Sequence, residues 1–187
     1  MSHTSLAATA LQAPQLIIEH TSQALQSQLQ DPDFAKDKLE IRNFVDKEIF
    51  PNIDTIRMSA LVLGKHWRKA SREQKIQFIA AFKKLLVNTY SATFTEQFDS
   101  WNIQYLPLNI NPEDKKVTVK TLIHQKGKPA TKIDYSMILK KESWLIYDLK
   151  VEGISLVISN RDTFNQMIKE TGSIDGVINK LQEKNSK

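Results

Sequence analysis

VTVKTLIHQKGKPATKIDYSMILKKESWLIYDLKVEGISLV, residues 117–157, decides the fold of this chain. Every second residue is apolar or uncharged along three successive runs. Val117, Val119, Thr121 and Ile123 share one face, as do Ile133, Tyr135, Met137 and Leu139, and then Leu145, Tyr147, Leu149 and Val151. The opposite faces carry Thr118 and Lys120, then Lys132, Asp134, Ser136 and Lys140, then Asp148 and Lys150. Side chains alternate across a strand, so the pattern specifies a sheet with one oily side and one wet side. The turn Gln125-Lys126-Gly127-Lys128-Pro129 and the tight link Lys140-Lys141-Glu142-Ser143 make the connections short, which favours an antiparallel meander. Trp101 to Leu108 adds a strand before it, for four in all. The oily side needs a cover.

Upstream, the pattern turns helical. Leu16, Ile17, Leu25 and Leu29 mark a first helix from Pro14 to about Gln30. Asp33 is placed to cap a second, running through Phe34, Ile41, Phe44 and Ile49 to the stop at Pro51. Asp54 can cap a third, which ends near Gly64. Ser71-Arg72-Glu73-Gln74 has the spacing of a capping box and opens the longest helix, Ser71 to Phe98. Its apolar face is rich in phenylalanine: Phe78, Phe82, Leu85 and Leu86 fall on or beside one stripe. Beyond Val157 the chain stays extended to Ile158, turns helical at Asn160, and continues past Gly172 through Ile174, Val177, Ile178 and Leu181. Helices, then a meander, then helices imply an α+β fold. Residues 1–13 read as a disordered segment and 14–187 as a single domain, mainly helical over about 14–98, with the sheet and closing helices over about 99–184.

Composition narrows the function. At 187 residues with 41% hydrophobic and 25% charged side chains, the chain can bury an ordinary globular core. It has no cysteine, which excludes disulfides, thiolate metal sites and a cysteine nucleophile. The net charge of +5 suits solubility, or attraction to anionic surfaces. The lysines are dispersed with no basic-aromatic repeat, so nucleic acid is not an expected partner. No apolar run reaches the roughly 18–20 residues a bilayer span needs. The start, MSHTSLAATALQ, contains Ala8-Thr9-Ala10 but lacks the basic and apolar regions of a signal peptide, which suggests a mature exported protein begun at an added methionine.

Candidate chemistry is sparse. His3, His20, His66 and His124 form no HExxH or paired metal spacing, so neither a metal nor another cofactor is expected. An acid-base enzyme in a conical cavity needs an inward carboxylate or histidine. Asp134 and Asp148 fall on the polar parity, and Glu152 does too unless Gly153 shifts the register. Ser155 lacks a GxSxG frame, and there is no P-loop or GxGxxG. What remains is apolar surface on the meander (Val119, Ile123, Tyr135, Met137, Tyr147, Leu149, Val151) and on the long helix (Phe78, Phe82, Leu85, Leu86). Periodicity alone reads these as a core or as the lining of a cavity for an apolar ligand.

Two blocks point to a known family. LVLGKHWRKASREQKIQFIAAFKKLLVNTY, residues 61–90, resembles the MlaC, or toluene-tolerance, family of periplasmic phospholipid-binding proteins; Gly64, Trp67, Arg68, Glu73, Gln74, Phe78, Phe82, Leu85, Leu86, Thr89 and Tyr90 match its pattern. KVEGISLVISNRDTF, residues 150–164, is similar to the family's VEGVSLVxxxRxxF, and Gly127-x-Pro129 and Trp144-x-x-Tyr147-Asp148 fit its turn and strand. The similarity covers roughly residues 33–182. One departure stands at Ile158-Ser159-Asn160, where relatives often carry a Ser-Asn-Tyr, so any contact made by that tyrosine is in doubt here.

The resemblance implies a curved, four-stranded, NTF2-like cone roofed by helices, with a helical lobe. It also implies a monomeric, non-enzymatic carrier in the periplasm that shuttles phospholipid between an outer-membrane lipoprotein-porin complex and an inner-membrane ABC transporter with an MCE-domain subunit. On that reading the eleven apolar residues above line the acyl-chain site, Arg68 and Arg161 stand at the headgroup rim or serve as structural ion pairs, and Gly64 and Gly153 are candidate hinges. The alternatives are an NTF2-like enzyme acting on a small apolar substrate, and an adaptor that docks two membrane complexes without holding lipid.

Overall fold

The computed structural model describes residues 11–97 and 100–185. The expected disorder of residues 1–13 therefore lies almost wholly outside the described residues, as does Phe98, the expected end of the long helix. The helices are α1 (Ala13–Gln28), α2 (Lys38–Phe44), α3 (Thr55–Leu63), α4 (Lys65–Lys69), α5 (Arg72–Gln97), α6 (Leu156–Thr171) and α7 (Ile174–Lys184). The strands are β1 (Asn102–Tyr105), β2 (Lys116–His124), β3 (Thr131–Lys140), β4 (Ser143–Val151) and β5 (Ile154–Ser155). They form one antiparallel sheet in the order β1-β2-β3-β4-β5. The meander is thus as expected, but with five strands rather than four.

β5 exists because Glu152 (φ 49°) and Gly153 (φ 81°) make a two-residue turn that returns the chain onto β4, pairing Val151 with Ile154. The Glu152 carboxylate accepts the Lys132 N–H and its own N–H donates to Lys132 O, which ties this turn to β3. Ser155 then caps α6, so the helix begins at Leu156 and not at Asn160. The Asp148 carboxylate sits at the same helix start. It accepts Ser155 Oγ–H at 2.7 Å and Val157 N–H at 3.1 Å, satisfying two donors at an end that favours negative charge. This is what the VEGISLV segment encodes: a turn, a cap and a helix start.

Asp54 and Ser71 cap as their spacing predicts. Asp54 Oδ1 accepts Arg57 N–H, and Ser71 and Gln74 exchange both capping-box bonds. The segment 34–49 departs from the expected single helix. Asp33 precedes only a three-residue 3₁₀ turn, Asp37 caps α2, and Val45–Ile49 widens into a π-turn before Phe50.

The register of β2 on β3 places Val119 opposite Tyr135 and Thr121 opposite Ile133, as the alternation requires. β4 breaks it. Ser136 pairs with Asp148, but Met137 pairs with Ile146, so Tyr147 is an inserted residue. A bulge reverses parity. Trp144 and Ile146 therefore join Val119 and Met137 on the apolar face, in place of the expected Leu145 and Tyr147. The other face is drier than expected near β4: Asp134 and Asp148 are buried there.

Three apolar clusters result among the described residues. One is wholly helical, built from α3, α5, α6 and α7. A second lies on the sheet's apolar face beneath α1, and a third joins Leu25 of α1 to Phe34 and Ile41. The helical lobe meets the sheet at its β4 side. Ile53 bridges Ile146 there, Asp54 N–H donates to Ile146 O at 2.8 Å, and the Asp54 carboxylate pairs with Lys140.

Candidate functional site

The apolar face of the sheet is covered by α1, not by the phenylalanine-rich α5. Ile18 packs with Val119, Met137 and Trp144, with Ile17, Tyr105, Leu108, Tyr135, Leu139 and Ile146 around them. One to two turns further along, Leu25 packs with Phe34 and Ile41, and Trp101 and Ile103 close that cluster. One helix thus bridges two apolar clusters. Between them the surface is polar. Glu19, Ser22, Gln23 and Gln26 of α1 and Trp101, Asn102, Ile103 and Tyr105 line an open depression of about 280 Å³. That is at the lower edge of the roughly 300–1,000 Å³ of small-molecule sites.

Side-chain hydrogen bonds tie α1 to its surroundings, among them Asn52 Nδ2 donating to Thr21 Oγ1 at 3.1 Å. Gln15 Nε2 donates to Leu106 O at 2.9 Å, and Gln26 Nε2 donates to Trp101 O at 2.9 Å. Both acceptors are backbone carbonyls flanking β1, so the helix lies across the meander's first strand. Within the apolar face Thr121 is fully buried, and its hydroxyl donates to Ile133 O at 3.0 Å. Desolvation raises the Tyr135 phenol well above its ordinary value; the neighbouring Tyr105 adds to this and the Thr121 hydroxyl partly offsets it. Tyr105 is raised as well, mainly by burial.

The sequence-predicted residues divide between the helical core and the sheet. Val119, Tyr135 and Met137 meet under α1. Ile123 is buried and pairs with Ile103 on β1. Leu149 pairs with Tyr135 and is half-buried, while Val151 at the strand's end is 45% exposed. Tyr147 leaves this face at the bulge, and the Arg57 guanidinium stands 5.0 Å from its ring centre.

Phe78, Phe82, Leu85 and Leu86 belong to the helical core. The Phe78 and Phe82 rings stack at 5.7 Å, and both meet Phe164 of α6 edge-on, at 5.4 and 5.7 Å. The expected juxtaposition of α5 with the meander is therefore corrected, because the phenylalanines are consumed by α6 and α7.

Arg68 is exposed on α4. Arg161 Nε donates to Leu61 O at 2.9 Å, closing the end of α3, and its guanidinium lies where a Cβ on Gly64 would reach 3.4 Å. Gly64 itself has φ 54° and ψ −123°, a conformation that side chains disfavour. The 61–90 and 150–164 blocks thus meet at one joint between α3 and α6.

Sequence reasoning missed Ile17, Ile18, Trp144 and Ile146. The last two had a signal. Trp144-Leu145-Ile146-Tyr147 is an unbroken apolar run inside an alternating strand, which is what a parity change looks like.

A profile of the MlaC protein family matches residues 19–183. The chain belongs to the MlaC family. The MlaC-family relative from Haemophilus influenzae, the intermembrane phospholipid transport system binding protein MlaC, is 24% identical over 165 residues, covering 86% of this chain and 73% of its own. The structure of the phospholipid-binding protein from Ralstonia solanacearum, solved in complex with a phospholipid, superposes with a TM-score of 0.86 at 24% identity, over 94% of this chain and 98% of that one. The MlaC family and the open-sheet α+β fold are thus both established for this chain.

Proposed function

We propose that this chain is a periplasmic phospholipid carrier, passing lipid between an outer-membrane lipoprotein-porin complex and an inner-membrane ABC transporter with an MCE-domain subunit. Its acyl chains would lie on the apolar sheet face beneath α1, against Val119, Ile123, Tyr135, Met137, Leu149 and Val151. Phe78, Phe82, Leu85 and Leu86 would hold the helical lobe together and not touch lipid. Arg161 would fix the α3–α6 joint. Arg68 is left as the exposed candidate for a headgroup.

The observation that carries this reading is a continuous apolar sheet face whose cover is one helix, α1. The hydrogen bonds at Gln15, Thr21 and Gln26 contribute about 1 kcal/mol each, and the burial of Ile18 and Leu25 about 1.5–3 kcal/mol each, so lifting α1 costs about 6–9 kcal/mol for these groups. A diacyl lipid of about 30 methylenes, at about 0.8 kcal/mol each, regains more than about 20 kcal/mol on leaving water. A lipid once seated there is held by the cost of exposing it to water, and handover needs a partner to supply an equally apolar path.

The test is to extract purified protein with organic solvent and analyse the extract by mass spectrometry, and to measure uptake from labelled vesicles. Phospholipid in the extract supports the carrier. Its absence, with no uptake, contradicts it and favours an adaptor. Leu149→Glu is expected to abolish lipid retention while the helical core keeps its stability.

A further inference from the structure

The outer face of the meander carries an ordered strip of lysines. Lys120 of β2, Asp134 of β3 and Lys150 of β4 stand directly opposite one another in register. Lys132 Nζ also reaches the Asp134 carboxylate, at 3.6 Å. Lysines thus flank Asp134 along the strand and on both neighbouring strands, and Lys132 is the one paired with its carboxylate. Lys116 lies on the same face of β2, two residues beyond Thr118, and Lys126 and Lys128 occupy the β2–β3 turn. Lys116, Lys120, Lys132 and Lys150 are all exposed, as are Thr118 and His124.

Asp134, Asp148 and Glu152 are acidic residues on or beside this face; Asp148 is turned to the start of α6 and Glu152 is engaged with the Lys132 backbone. The strip therefore holds much of the chain's net charge of +5. α6 covers the β4 side of this face through Ser155 and Val157, but the β2 side is open.

We propose that this strip docks the protein on an anionic lipid surface. Adjacent strands lie about 4.8 Å apart and residues rise about 3.3 Å along them, so Lys116, Lys120 and Lys150 fall within about 10–16 Å of one another. That is comparable to the Debye length of ~10 Å at 0.1 M salt, so their attractions add. The residue type selects a membrane over a protein partner. No arginine occurs between Arg72 and Arg161, so the strip has lysines alone. Protein interfaces are enriched in arginine and depleted in lysine, because a planar fork is preorganised for defined carboxylates. Flexible, hydrated point charges suit a fluid surface of phosphates with no fixed geometry. The proposal is independent of whether lipid is held inside, since adhesion to a surface is measured apart from uptake.

The experiment is flotation of the full chain with vesicles of phosphatidylcholine alone and with phosphatidylglycerol added, across a salt series. The expected result is binding only to the anionic vesicles, weakening as salt rises. Each lysine near such a surface is worth about fivefold, so Lys116→Gln/Lys120→Gln/Lys150→Gln loses about a hundredfold. A control of equal charge change, Lys36→Gln/Lys47→Gln/Lys180→Gln, removes lysines already paired with Asp33, Glu48 and Glu170, and should lose no more than a few-fold. Equal binding to both vesicle types, an equal loss in the two triple variants, or capture by an acidic protein without binding to anionic vesicles overturns the proposal. If the strip variant is unstable, Lys116→Gln/Lys120→Gln, which leaves Lys132 and Lys150 beside Asp134, provides the same comparison with about a twenty-five-fold loss.

Discussion

One inserted residue, Tyr147, decides which side chains reach the interior of the sheet. Without the bulge, Trp144 would point to the outer face; with it, Trp144 and Ile146 join Met137 and Val119 under α1, and Tyr147 turns to Arg57. Next to them Tyr135 offers a titratable reporter. Its phenol is raised above the ordinary value of 10.0 in the folded chain. An acid whose folded value is raised binds its proton more tightly than in the unfolded chain, so stability is fully present below about pH 10 and falls as pH rises toward the folded value. Denaturation between neutral pH and strongly alkaline pH should therefore show a loss of stability beginning near pH 10. Tyr135→Phe should lessen that loss, leaving the smaller share from Tyr105, which is raised in the same direction. A pH profile unchanged by the substitution would mean that the phenol is solvated. At this scale the sequence was legible wherever alternation held, as at Val119, Thr121 and Leu149, and illegible at the bulge, where one extra residue reverses the assignments of 144–146 before it.

At the scale of elements, α5 and α1 exchange the roles that hydrophobicity assigns them. α5 has the more apolar and aromatic face, yet that face is spent on Phe164, Val177, Ile178 and Leu181. Periodicity shows that a helix has an apolar stripe but not which other stripe it meets. With Phe82 2% exposed and packed between two aromatic rings, Phe82→Ala should cost about 3–5 kcal/mol, read as a lowered denaturation midpoint. Lipid retention per folded molecule should be unchanged. α1 carries no phenylalanine, and it takes the sheet because Ile18 and Leu25, two turns apart, reach separate clusters. Gln15→Ala/Gln26→Ala removes both tethers to the backbone around β1. It should leave the midpoint within about 1–3 kcal/mol of the parent's while raising amide exchange throughout α1 and accelerating lipid transfer. Exchange confined to its parental level would show that the helix is held by packing alone.

The whole molecule is a helical lobe and a covered sheet joined along β4, where Asp54 meets Lys140 and Asp148 caps α6. Among the described residues no helix is long and apolar enough to cross a membrane. The class, the antiparallel meander, both ends of α3 and the start of α5 could be read from the chain, since capping residues and alternating strands are local signals. The pairing of sheet with α1 could not, because two apolar faces compete for each cover and only the three-dimensional packing chooses between them. That choice determines where hydrocarbon would lie, so it is also where the account is most exposed. The direct measurement is photocrosslinking with a phospholipid that carries a diazirine in its acyl chain, followed by mass-spectrometric mapping of the adducts. The account predicts adducts on α1 and on β2 through β4, above all around Val119, Met137 and Leu149. Adducts concentrated on Phe78, Phe82 and the α6–α7 core, with α1 and the sheet unlabelled, would contradict it.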